Sequence, residues 1–131
     1  MKIILIYLKA IFFSINLIFS QTSSADFDPF QAGENLEYRV HYGIINASYA
    51  SLTLSNEKVD GEDVLLASGY GKTIGLARLF FKVEDYYSSY FESKKVQPKL
   101  FKRNIYEGGY TKNLEVSFNS EKKEATVKNI K

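Results

Sequence analysis

Leu36-Glu37-Tyr38-Arg39-Val40-His41-Tyr42 alternates apolar and polar residues without a break. In an extended chain Leu36, Tyr38, Val40 and Tyr42 fall on one side and Glu37, Arg39 and His41 on the other, so the stretch predicts a half-buried strand. After Gly43, residues 44–54 are rich in small and β-branched types and read as its antiparallel partner. Val59-Asp60-Gly61-Glu62 is a tight-hairpin signal, and residues 64–70 are the returning strand. Gly69, Gly71 and Gly75 loosen the chain around Lys72-Thr73, and a short helical turn is expected over residues 76–80.

Leu79, Phe81 and Val83 restart the alternation, which residues 84–91 continue as a long, aromatic-rich strand. Ser93-Lys94-Lys95 breaks it. Pro98 leads into a strand over residues 100–106, Gly108-Gly109 turns the chain, and strands over 110–118 and 125–130 flank a polar turn at Asn119-Ser120-Glu121. About seven strands in succession, joined by short turns, predict an all-β fold: a single antiparallel meander sheet, curved or half-barrel-like. The pattern stops at Lys131 just after a strand has begun, so the chain is expected to be the N-terminal part of a longer protein.

The first twenty residues have a different composition. Met1-Lys2 is basic, residues 3–19 are almost wholly apolar, and Ser20-Gln21 opens a polar stretch, which are the parts of a secretory signal peptide with cleavage after Ser20. A retained anchor fits less well, because the apolar run is short for a span and carries Lys9 near its middle. The expected organisation is a signal helix over residues 1–20 and one exported β-sheet domain over 21–131, with no membrane span after cleavage. No cysteine is present, which excludes a disulfide framework and a lipid-modified N-terminal cysteine.

Without the leader the chain has 15 basic and 15 acidic residues, a balance that argues against a nucleic-acid partner. The charge is uneven, with 5 basic and 11 acidic residues over 21–93 but 10 and 4 over 94–131. Neighbouring strands with complementary solvent faces give that arrangement, and a functional basic face is the alternative reading.

Few motifs carry chemistry. Gly71-Lys72-Thr73 imitates the end of a phosphate-binding loop, but Leu66 stands where that loop needs a glycine. His41, the one histidine, lies on the polar side of its strand with no companion ligands. No metal site, cofactor or catalytic residue is therefore assigned. Asp85, Arg103 and Glu107 are the best polar candidates; an Asp85–Arg103 bridge is expected if their strands pair. Phe81, Tyr87 and Phe91 would share one face of a strand, and Phe80, Tyr86 and Tyr90 the other, so both sides are covered or one binds a ligand.

The order of motifs resembles a known family. Phe30-Gln31-Ala32-Gly33-Glu34 followed by Leu36, Tyr38, Val40 and Tyr42-Gly43 is similar to the opening of the family called domain of unknown function 3108. The pair Gly71 and Thr73, the run Phe81-Lys82-Val83-Glu84-Asp85 with Tyr87 and Ser89, and Pro98, Phe101 and Arg103 before Glu107-Gly108-Gly109-Tyr110 continue the likeness. Asn46-Ala47-Ser48-Tyr49-Ala50 lacks the glycine usual there. The resemblance implies an exported protein of a Gram-negative bacterium, periplasmic or outer-membrane associated and longer than this chain, and it supplies no catalytic residues.

Together these readings point to a non-catalytic protein that binds an apolar or amphipathic envelope ligand, a lipid or glycolipid, through Phe81, Tyr87 and Phe91 with Asp85, Arg103 and Glu107 as polar contacts. The rivals are a carbohydrate-acting hydrolase using Asp85 and Glu107, and an assembly subunit pairing through its sheet edge. The sequence carries no signature of an oligomeric state.

Overall fold

Seven strands follow one another along the chain, and each pairs antiparallel with the next in the order β1 to β7. They are β1 (Asn35–Tyr42), β2 (Ile45–Val59), β3 (Glu62–Thr73), β4 (Val83–Glu92), β5 (Gln97–Glu107), β6 (Tyr110–Asn119) and β7 (Glu124–Asn129), with one short helix, α1 (Gly75–Phe80), between β3 and β4. This computed structural model describes residues 29–130, and the leader expected over residues 1–20 lies outside them. The predicted meander is the observed one: a single sheet, not closed into a barrel, with β1 and β7 at its two edges.

The hairpins form where the sequence permits left-handed backbone. Asp60 and Gly61 have φ of 52° and 85°, and Gly108 and Gly109 have 58° and 101°. Two consecutive positive-φ residues are what a two-residue turn between twisted strands requires. The β3–β4 connection is locked differently. The Thr73 hydroxyl donates to the Phe81 carbonyl at 3.0 Å and accepts the Val83 N–H at 2.9 Å, while the Gly108 N–H donates to the Lys82 carbonyl at 2.8 Å. The predicted restart of alternation at Leu79 and Phe81 is therefore corrected. Leu79 is helical, Phe81 caps α1 through its N–H to the Ala77 carbonyl at 3.0 Å, and the strand resumes only at Val83.

Cross-strand register sorts the side chains into two faces. One face carries the row Leu36, Leu52, Gly69, Tyr87, Arg103 and Leu114, and next to it the row Leu54, Ala67, Ser89, Phe101, Val116 and Val127. The other carries Tyr49, Lys72, Glu84 and Tyr106 in one row and Ser51, Tyr70, Tyr86 and Asn104 in the next. The core lies on the first face, where Leu54, Leu65 and Phe91 are buried with Phe30 and Ala67 packed against them. Phe30 meets Phe91 edge-on, ring centroids 5.5 Å apart. The Gly33 N–H bonds to the Leu54 carbonyl at 2.8 Å and the Leu54 N–H to the Glu34 carbonyl at 2.9 Å, tying the segment before β1 to β2.

The expectation of a half-buried β1 is corrected. Leu36, Tyr38, Val40 and Tyr42 are 47%, 52%, 53% and 84% exposed. Their alternation places them on the apolar face as predicted, but β1 is an edge strand and among the described residues no second layer lies over it.

Burial concentrates further along the same face at Ile105, 1% exposed. Ile105→Ala is expected to cost about 2–4 kcal/mol, whereas Val127→Ala, on outermost β7, should cost under about 1 kcal/mol. Equilibrium urea unfolding of the two variants would show equal midpoint shifts if this map of the core were wrong.

Candidate functional site

The apolar face is hollow near the N-terminal end of β1. Larger side chains (Leu36, Leu52, Phe91) stand around the smaller Ala67 and Ser89, with Phe30 on one side and Val96 and Pro98 closing one end. The resulting groove has a volume of about 490 Å³. Its floor is Leu54 and Phe91, and its polar groups are Glu34 and Ser89.

Of the residues singled out from sequence, Phe91 lines this groove. Tyr87 lies two positions away on the same face, tilted against Phe101 with centroids 6.4 Å apart. Phe81 does not join them. It follows α1, and its ring lies where a Cβ on Gly108 would be, at the opposite end of the sheet. Asp85, Arg103 and Glu107 share the apolar face: Asp85 faces Ile105 across the strands, with Arg103 and Glu107 on its two diagonals.

The expected Asp85–Arg103 bridge does not form among the described residues. Asp85, 9% exposed, accepts the Tyr106 backbone N–H at 3.2 Å. A short carboxylate reaches the adjacent strand's amide, whereas diagonal cross-strand positions lie about 7–8 Å apart. Arg103 is left half-buried with an Nε that makes no hydrogen bond. Among the described residues no group of three His, Cys, Asp or Glu could hold a metal ion.

The opposite face carries a cluster that sequence reasoning missed. Glu84 sits at its centre. Its Oε2 pairs with Arg78 at 3.1 Å and Lys82 at 3.8 Å, and its Oε1 accepts weak hydrogen bonds from the Tyr70 and Tyr86 hydroxyls, both at 3.4 Å. Tyr70 and Tyr86 stack with centroids 4.7 Å apart, and the Lys72 ammonium lies 5.5 Å from the Tyr70 ring and 5.9 Å from that of Tyr49. These residues come from β2, β3, α1, β4 and the segment joining α1 to β4, and only the strand register brings them together. The signal available in sequence was the alternation itself, which puts Tyr70, Lys72, Glu84 and Tyr86 at facing positions once β3 and β4 are paired.

The Arg78 hydrogen bond, helped by the Arg78 and Lys82 charges, holds the Glu84 carboxyl below its ordinary value of 4.5 against the opposing effect of desolvation. The Tyr86 hydroxyl is pushed above 10.0, first by its interaction with Tyr70. A depressed carboxyl contributes stability above its unfolded value and loses it as pH falls through the folded one. An NMR titration of the Glu84 side-chain carbon should therefore show a midpoint below 4.5, and Arg78→Ala should move it upward. An unchanged midpoint in that variant would contradict the assigned cause.

The chain is thus a small β-sheet domain: an open antiparallel meander with an apolar groove on one face and a charged aromatic cluster on the other. Residues 37–131 match the family model described as "Protein of unknown function (DUF3108)", and the chain belongs to that family. The Phe30 motif precedes the matched span. No curated protein and no solved structure matches.

Proposed function

We propose that this protein binds the apolar part of an amphipathic ligand, a lipid or glycolipid of the envelope, in the groove around Leu36, Leu52 and Phe91. The supporting observation is the groove itself: about 490 Å³ with a largely aliphatic and aromatic lining, within the range of small-molecule sites. Tyr38 and Val40 extend the apolar stripe from Leu36 along β1 beyond it. Leaving that surface open to water is unfavourable by about 25 cal/mol per Å², and an acyl chain laid along it would recover that.

Arg103 supports an anionic headgroup. It shares the cross-strand row with Leu36, Leu52 and Tyr87, and its Nε lacks a hydrogen-bond acceptor. The compartment that fits is the one the leader implies, periplasmic or outer-membrane associated. Hydrolysis by Asp85 and Glu107 is less well supported, because Asp85 is buried and its carboxylate already accepts a backbone N–H. An assembly role has in its favour the outer edges of β1 and β7, which no other strand pairs with among the described residues.

Titration with a fluorescent long-chain fatty acid tests the reading. Saturable binding is expected, and Leu52→Glu, at a 41% exposed position, should weaken it about ten-fold or more by placing a charge in the groove. Arg103→Gln should weaken the fatty acid but not the matching neutral alcohol. Absence of saturable binding by the unaltered protein would end the proposal.

A further inference from the structure

The end of the sheet that carries the β1–β2 turn and α1 differs from the other end. Tyr42 and Ile44 at the hairpin are 84% and 101% exposed, with Ile45 at 42%; on α1, Leu76, Leu79 and Phe80 are 58%, 80% and 87% exposed. Positions 76, 79 and 80 have the i, i+3, i+4 spacing of one helix face. The two elements are adjacent: the Ile74 N–H donates to the Ala47 carbonyl at 3.0 Å, and a Cβ on Gly75 would stand 3.3 Å from the Asn46 carbonyl oxygen. Isolated exposed apolar residues need no explanation, but six projecting side by side from one end do.

The charge at this end is predominantly positive. The β1–β2 hairpin and the helical connection, residues 38–49 and 70–83, contain Arg39, Lys72, Arg78 and Lys82 and no Asp or Glu, while Glu37 precedes them and the neighbouring β5–β6 hairpin adds Glu107 and Lys112. Glu84, at the start of β4, is occupied by Arg78 and Lys82, and Arg39 and Lys72 make no ion pair among the described residues. The turns at the far end are instead mixed in charge, with Asp60, Glu62, Lys94, Lys95, Glu121 and Lys122. No helix of the described residues is long and apolar enough to cross a membrane.

We infer that the hairpin tip at Ile44 and the exposed face of α1 form a docking surface for an anionic lipid bilayer, the apolar side chains entering the headgroup region while Arg39 and Lys72 meet its negative charge. Apolar tips behind a cationic collar are the composition of a peripheral membrane contact. A second copy of the chain would oppose like charge to like charge at the same place. This surface does not depend on the groove holding a ligand.

The chain has no cysteine, so single labels can report on each end. Full-length Ile44→Cys, Leu79→Cys and, at the far end, Ser120→Cys would each carry an environment-sensitive fluorophore. They would be mixed with vesicles of phosphatidylcholine alone or with an equal part of phosphatidylglycerol. The labels at 44 and 79 should shift to the blue and become shielded from acrylamide with the anionic vesicles only, while the label at 120 stays in water. A retained leader could hold the chain to vesicles but would not produce that pattern. Lys72→Gln should weaken the response about five-fold, and Leu52→Glu should leave it intact. No shift at 44 and 79, an equal shift at 120, loss of the shift with Leu52→Glu, or a vesicle-independent shift that grows with protein concentration would each overturn the assignment, the last in favour of self-association.

Discussion

Phe30 laid edge-on against Phe91 gives the single-layer sheet a core. A sheet one layer thick buries its apolar face only where something crosses it. Here the crossing element is the short segment before β1, held to β2 by the bonds of Gly33 and Glu34 with Leu54. Around that contact Leu54, Leu65 and Phe91 are buried. Beyond it the same apolar rows run out into solvent at Leu52, Leu36, Tyr38 and Val40. The groove is the boundary between the two regimes, and among the described residues it lies where the cover is shorter than the face it covers.

Most of the strand pattern was legible because a meander is built from local decisions. Alternation marks each strand, and Asp60-Gly61 and Gly108-Gly109 mark hairpins in which both residues take positive φ. The helical turn was legible for the same reason, since glycines loosen the chain before it. Burial was not legible. The alternation of Leu36, Tyr38, Val40 and Tyr42 says which side is apolar, but not whether anything lies against it, and β1 is at an edge.

The polar candidates show the limit more sharply. Asp85, Arg103 and Glu107, named from the sequence as the best polar candidates, lie on one face, and the pairing of β4 with β5 that brings them near follows from the order of the strands. The bond between Asp85 and Arg103 was not there, because a backbone amide competes for a short carboxylate and sequence spacing does not show that competitor. Phe81 failed for a different reason. Two residues of alternation before Val83 imitate a strand, while the Thr73 hydroxyl holds them as the end of a helical connection.

A sheet with a small core must draw cohesion from elsewhere, and the face opposite the groove supplies it. There Tyr70 stacks on Tyr86 across β3 and β4, Glu84 joins Arg78 and Lys82, and Lys102 pairs with Glu115 across β5 and β6 at 3.2 Å. Each such contact contributes only about 0.2–1 kcal/mol, but together with the Lys102 ammonium 5.9 Å over the Tyr90 ring of β4 they tie β3 to β6 without using the apolar rows. That division of labour lets the apolar face stay partly open: the strands do not need every apolar side chain on it to remain paired. Were the polar face as sparse as the apolar one, the same groove would be a defect in packing; with the sheet held from behind, it is a surface the fold can leave open.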